Sequence, residues 1–169
     1  EFLCLFPESE RFAVEKTLEV PCVTLDALKA DGKLGDVDFL KIDVQGAELD
    51  VLRGGKNLLA DSVLGMEIEV EFVELYKGQP LFAQVDGFIT KELGLRIQDL
   101  RKYFWKLEGA ERLGSPRGQL VFADAIYFRP VEDIAAWCAD MDVVEARHKV
   151  LCAVVMGAVY GCVDYSMSI

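Results

Sequence analysis

Apolar positions along the chain fall into short continuous runs, separated by stretches in which they recur every three or four residues. A short continuous run reads as a buried strand, and a three-to-four repeat as the inner stripe of a helix. Val37 to Val44 (VDFLKIDV) predicts a buried strand, with Gly46 permitting a tight exit. Ala47 to Arg53 carries Leu49 and Leu52 on one side and predicts a short helix stopped by Gly54-Gly55. Val63 to Val73 predicts the next strand. Gln79-Pro80 opens a helix, since proline is tolerated in a first turn; Leu81, Val85, Phe88, Ile89 and Leu93 follow at helical spacing and Gly94 closes it. Leu95 to Leu100 predicts a short strand, Arg101 to Arg117 a loop, and Gln119 to Phe128 (QLVFADAIYF) a longer strand.

The two ends of the chain read less sharply. Glu1 to Phe6 is apolar enough for a short strand, and Phe12 to Val23 reads as extended, with Pro21 confining it to an edge or a strand start. Thr24-Leu25-Asp26 looks like a helix opening in which Thr24 or Asp26 caps free N–H groups, and Asp31-Gly32-Lys33 ends that element. From Val131 onward the pattern predicts two helices that meet near Met141. Val150 to Val163, the most apolar stretch, is broken by Gly157 and Gly161 and is shorter than the roughly 20 residues of a membrane-spanning helix. It reads as a buried helix.

Strands alternating with helices predict an α/β fold with a mostly parallel sheet. In such sheets ligands bind beyond the C-terminal ends of the strands, so chemistry is sought just after each strand. Asp43 and Gln45 follow the first clear strand. A charged Asp43 there is either a cap for the next helix or a functional group. Glu48 falls in the first turn of that helix, where the dipole favours negative charge. Glu67, Glu69 and Glu71 alternate with apolar residues, which puts three carboxylates on one face of a strand. Of these Glu71 is nearest the presumed crevice. Asp124 interrupts an apolar strand and must pair, face water or carry a function. Tyr76, Lys77 and Gln79 form a polar loop that lines either a substrate pocket or plain surface.

Composition narrows the function classes. The 169 residues suffice for one compact domain. With 18 basic and 29 acidic residues the formal charge is −11, which argues against a phosphate-tracking nucleic-acid binder and against docking on an anionic membrane. The five cysteines, Cys4, Cys22, Cys138, Cys152 and Cys162, contain no C-x-x-C pair and signal neither a zinc site nor a disulfide framework. Cys152 and Cys162 read as buried small hydrophobes. A reducing, cytoplasmic compartment fits free thiols. The lone His148, between Arg147 and Lys149, reads as part of a solvated helix face. No Walker loop, G-x-G-x-x-G or nucleophile elbow occurs, which removes support from a nucleotide-sugar or hydrolase reading.

Four stretches taken together, VPCVTLDAL (Val20 to Leu28), DFLKIDVQGAELDVLRGG (Asp38 to Gly55), EIEVEFVELYKGQPLF (Glu67 to Phe82) and RGQLVFADAIYF (Arg117 to Phe128), resemble the FkbM family of methyltransferases in sequence, order and spacing. The resemblance covers roughly residues 18 to 130. It implies a class I, Rossmann-like methyltransferase fold with helices on both faces and an antiparallel last strand. It further implies S-adenosylmethionine as methyl donor and a hydroxyl of a sugar, glycolipid or polyketide-like molecule as acceptor. On this reading Asp43, Val44 and Gln45 lie beside the cofactor's methionine end, Asp43 and Glu71 act on the acceptor hydroxyl, and Glu69, Tyr76, Gln79 and Asp124 line the acceptor side; Asp43 with a second acid is able to hold a divalent metal, though nothing in the spacing demands one. Gln45 stands where many members carry Glu. Residues 1–130 would be the C-terminal part of the methyltransferase domain and 131–169 a helical extension packed on it.

The glycine-rich turn and the ribose-binding acid of such enzymes are not among these residues, so the family's first three strands are expected to precede Glu1. That leaves the edge of the Asp43 strand unpaired and predicts that the chain self-associates or is poorly stable. The competing reading is a non-catalytic interaction module derived from the same fold, with Ala135 to Ile169 as its partner face.

Overall fold

The structure is a computed structural model and describes residues 2–7, 9–110, 112 and 118–169. Glu1 and Arg117, the outer ends of two predicted segments, lie outside the described residues. Four strands, β1 (Phe39–Ile42), β2 (Gly65–Glu71), β3 (Arg96–Trp105) and β4 (Gln119–Phe128), form one sheet in the order β1-β2-β4-β3. β1 and β2 are parallel, while β4 runs antiparallel to both β2 and β3. Three strands thus point one way and the last is reversed between two of them. Among the described residues β1 pairs only with β2, so its other edge is unpaired.

The period of two along β2 sorts its side chains between the two faces. Met66, Ile68 and Val70 join Ala123, Ala125 and Tyr127 of β4 in a core completed by helices α2 (Glu48–Gly54), α3 (Lys56–Ser62) and α4 (Phe82–Glu92). On the opposite face, helices α5 (Val131–Asp140), α6 (Val143–Val159) and α7 (Val163–Ser168) cover the start of β2, where Leu64, Ile126, Phe128, Ile134, Ala153, Met156 and Tyr165 form a second cluster. Gly65 is required for this: a Cβ there would sit 2.5 Å from Met156 Sδ and 2.8 Å from Tyr127 O. The glutamates of β2 share this second face, and the helices stop short of its C-terminal end.

Helix α1 (Leu25–Ala30) is capped as predicted by Thr24, whose hydroxyl accepts from Ala27 N at 3.2 Å. Asp26 caps a different helix: its carboxylate accepts from the backbone N–H groups of Asn57 and Leu58 in the first turn of α3. That long-range cap explains a helix the sequence reading stops at Gly54-Gly55. Several other expectations change. Phe2–Leu5 and Ser9–Phe12 are single 3-10 turns rather than a strand, and 13–23 joins no sheet. The loop expected from Arg101 starts only after Trp105, because Arg101 to Trp105 extends β3 alongside β4. The C-terminal segment is three helices rather than two. α6 is not a buried helix: Lys149, Ala153, Met156 and Gly157 face inward, but Leu151, Val155 and Val159 are exposed. Cys152 and Cys162 are half-buried at the border of the second cluster.

Candidate active site

Beyond Ile42 the chain turns sharply into α2. Gln45 (φ 54°) and Gly46 (φ 106°) both adopt left-handed backbone, which is routine for glycine and strained for glutamine. The turn is fastened from within. Glu48, 1% exposed, accepts from Val44 N at 3.0 Å through Oε1 and from Gly46 N at 3.0 Å through Oε2. A buried carboxylate needs such donors, and here they are backbone N–H groups of the turn that precedes α2. Among the described residues Asp43 does not cap α2: its carboxylate accepts from Gln45 Nε2 instead. Gly46 also lies against the loop after β2, where a Cβ would sit 3.3 Å from Gln79 Cβ.

This turn carries the Gln45 side chain across to β2. Its Nε2 donates to Asp43 Oδ1 at 2.8 Å and to Glu69 Oε1 at 2.9 Å, and its Oε1 accepts from Tyr76 OH at 3.0 Å. Asp43, Gln45, Glu69 and Tyr76, drawn from three segments, thus form one hydrogen-bonded group at the C-terminal ends of β1 and β2. Asp124 lies opposite Glu69 in the β2–β4 register and accepts from Tyr103 OH at 2.9 Å. Val44 lends this group only its backbone, and its side chain is exposed.

The three glutamates of β2 have different surroundings. Glu67 is neutralised: Lys41 donates to it, Tyr160 OH donates at 2.8 Å and Arg101 stands 3.9 Å away. Burial raises its pKa, but those partners outweigh it and hold the carboxyl below the usual range. Among the described residues no cation pairs with Glu69; burial first, then the charges of Asp43, Asp124 and Glu48, push it up to about 7. Glu71, 1% exposed, is also raised to about 7, by burial and then by Glu48 and Glu69. Among the described residues its Oε1 has no hydrogen-bond partner, nor has Gln79 Nε2. The Gln79 amide lies near enough to oppose the rise in part without completing a bond. The other end of that amide holds the loop, its Oε1 accepting from Leu75 N at 2.8 Å and from Tyr76 N.

The expected group therefore divides by depth. Asp43, Gln45 and Tyr76 surround a half-exposed Glu69, with Asp124 alongside, while Glu71 and Gln79 lie sealed beneath. Lys41, Arg101, Tyr103 and Tyr160 were not singled out from the sequence. Three of them lie where period-two alternation could have signalled a strand face, Lys41 in β1 and Arg101 and Tyr103 in β3; Tyr160 offers no local signal.

A profile described as the methyltransferase FkbM domain matches residues 5–97. The chain belongs to the FkbM methyltransferase family. The match takes in Asp43, Gln45, Glu69, Glu71, Tyr76 and Gln79 and ends before β4, so Asp124 and the RGQLVFADAIYF stretch lie outside it. No curated protein and no solved structure matches the chain. The α/β architecture, with its reversed last strand, is consistent with a methyltransferase. No helix among the described residues is long and apolar enough to cross a membrane.

Lys149 corrects a further expectation. It is buried rather than solvated and donates to Asp38 Oδ1 at 2.6 Å and to Ser62 O at 2.8 Å.

Proposed function

We propose that the chain forms one wall of an S-adenosylmethionine-dependent O-methyltransferase of Rossmann-like fold, acting on a hydroxyl of a sugar, glycolipid or polyketide-like acceptor. One observation carries this reading beyond the family: a half-exposed carboxylate, Glu69, raised to about 7 at the C-terminal ends of the strands. A general base works best when its pKa lies near the operating pH. On this reading residues 1–130 belong to the methyltransferase domain and 131–169 to a helical extension. The five free cysteines support a reducing, cytoplasmic setting.

The residues present suit the cationic part of the cofactor. Asp43, Glu69 and Asp124 give this rim a negative potential, and among the described residues no salt bridge reaches them; Lys41 and Arg101 both end on Glu67. Bound against Asp43 and Gln45, S-adenosylmethionine would supply an electrophilic methyl group on a positively charged sulfur. Glu69 would be the base for the proton of the acceptor hydroxyl, and Tyr76 and Asp124 would orient the acceptor from either side. Gln45 sets the Glu69 carboxylate through its 2.9 Å hydrogen bond. Glu71 is a positioning residue here rather than the base, since a base must reach the proton it removes; its charge state acts on Glu69 from beneath.

Calorimetric titration of the chain with S-adenosylhomocysteine tests the assignment. Saturable binding that weakens in Asp43→Asn and Gln45→Ala supports it. Binding indifferent to both substitutions takes the cofactor away from this turn, whereas no heat up to millimolar ligand shows that this wall alone does not hold it and moves the same two substitutions to the full-length enzyme.

A further inference from the structure

At the opposite end of β1 from the candidate active site, three side chains of metal-ligating type converge. Among the described residues, the ligand atoms of Asp38, His148 and Cys152 all lie within 4.8 Å of one another. His148 and Cys152 stand one helical turn apart on α6, the i, i+4 spacing that presents two ligands from one helix face. Asp38 comes from the residue just before β1, 110 positions away in sequence.

The two separations from His148 are close to those of a coordination shell. His148 Nε2 lies 2.9 Å from Asp38 Oδ2 and 3.5 Å from Cys152 Sγ. Tetrahedral zinc with ordinary bond lengths would set nitrogen and oxygen about 3.4 Å apart and nitrogen and sulfur about 3.6 Å apart. The His148–Asp38 pair would have to open by about half an ångström to reach that geometry. Asp38 is also oriented from behind: buried Lys149 binds its Oδ1 and is itself held by Ser62 O, which turns Oδ2 toward the imidazole. Such outer-shell support is characteristic of metal ligands. Glu145 and Asp36, the latter paired with Lys29, line the cleft beside Asp38 and His148, so a cation meets acidic side chains on entry despite Lys149. The His148 side chain, 61% exposed, leaves a coordination position open to water.

We infer that Asp38, His148 and Cys152 form a binding site for one zinc-class divalent cation, which pins helix α6 to the head of β1. A thiolate, an imidazole and a carboxylate are the donor mixture that borderline-soft ions accept, and magnesium or calcium would avoid the sulfur. The ion would act on stability, since it joins two distant segments and lies away from the transfer site.

The competing account is that His148 and Asp38 form a plain hydrogen bond and that added metal collects on the carboxylates around Glu69. Cobalt(II) titration of the chain separates the two. The expected result is one ion per chain with a thiolate-to-cobalt charge-transfer band and the visible bands of a tetrahedral ion, both displaced by zinc. His148→Ala and Cys152→Ser should each weaken binding at least about tenfold, the scale on which even outer-shell changes act. Both positions are partly open, and circular dichroism of the two variants without metal establishes that they fold. Zinc should also raise the melting temperature of the wild-type chain and not of His148→Ala. Absence of the thiolate band, or cobalt affinity unchanged in both variants, overturns the site.

Discussion

Gln45 Nε2 bridges Asp43 and Glu69, at 2.8 and 2.9 Å, so the turn after β1 and the end of β2 share one donor. That donor favours the charged form of Glu69 and restrains its raised pKa. Gln45→Leu should therefore move the Glu69 pKa above its present value of about 7, by about one unit, the scale expected for a single hydrogen bond to a charged group. Carbon-detected NMR titration of the Glu69 carboxyl reads this directly. An unchanged midpoint would mean that the bridge contributes nothing in solution.

The paired rise of Glu69 and Glu71 makes stability depend on pH in a definite direction. Both carboxyls move from an ordinary 4.5 to about 7 in the folded chain. The folded state thus holds their protons more tightly than the unfolded state, and this contribution is full below pH 4.5 and lost as pH rises toward 7. Glu67 and Asp38 are shifted downward, so their contribution is present above the ordinary carboxylate range and fades only in stronger acid. Urea unfolding measured from pH 5 to 8 should show stability falling with pH. Glu69→Gln and Glu71→Gln should each flatten that slope; a slope unchanged in both would remove these residues from the account.

How much of this was legible follows from where each feature gets its stabilisation. β4 was read with its ends at Gln119 and Phe128 because a local apolar run and Pro130 bound it. The turn at Gly46 and the three-glutamate face of β2 were equally local. Helix α3 was missed because Asp26 caps it from 31 residues away. The burial of Lys149 was missed because Asp38 and Ser62, both distant in sequence, make it tolerable. Glu71 was rightly placed near the strand end, but the spacing could not show that the Gln79 loop seals it while Glu69 stays open. The cluster of Asp38, His148 and Cys152 has only its helical half visible in the sequence.

Arg129 provides a test of the fold away from the site. Buried at the end of β4, it donates from Nε to Val63 O at 2.8 Å and from Nη2 to Leu59 O and Ala60 O at 3.2 Å, with its guanidinium 3.9 Å from the Trp137 ring. These carbonyls end α3, so one planar fork satisfies the groups that a helix leaves open. Burial lowers its pKa to about 10, which keeps it charged at neutral pH. Arg129→Met should cost about 3 kcal/mol in chemical denaturation, since several buried carbonyls lose their donors. Arg129→Lys should recover little, because an ammonium lacks the fork.

The unpaired edge of β1 and the outer face of α6 bear on how the chain behaves in solution. Phe39 at that edge and Leu151, Val155 and Val159 on the helix line a single apolar groove, with Leu64 and Met156 at its floor. An open strand edge beside exposed apolar surface favours pairing with another chain. Sedimentation of the 169-residue chain is therefore expected to show concentration-dependent association. Val155→Glu places a charge in the groove without touching the core, since Val155 is exposed, and should shift the chain toward monomer. A cooperative monomer at every concentration for the wild-type chain would show instead that β1 tolerates an open edge. Association unaltered in the variant would place the contact elsewhere.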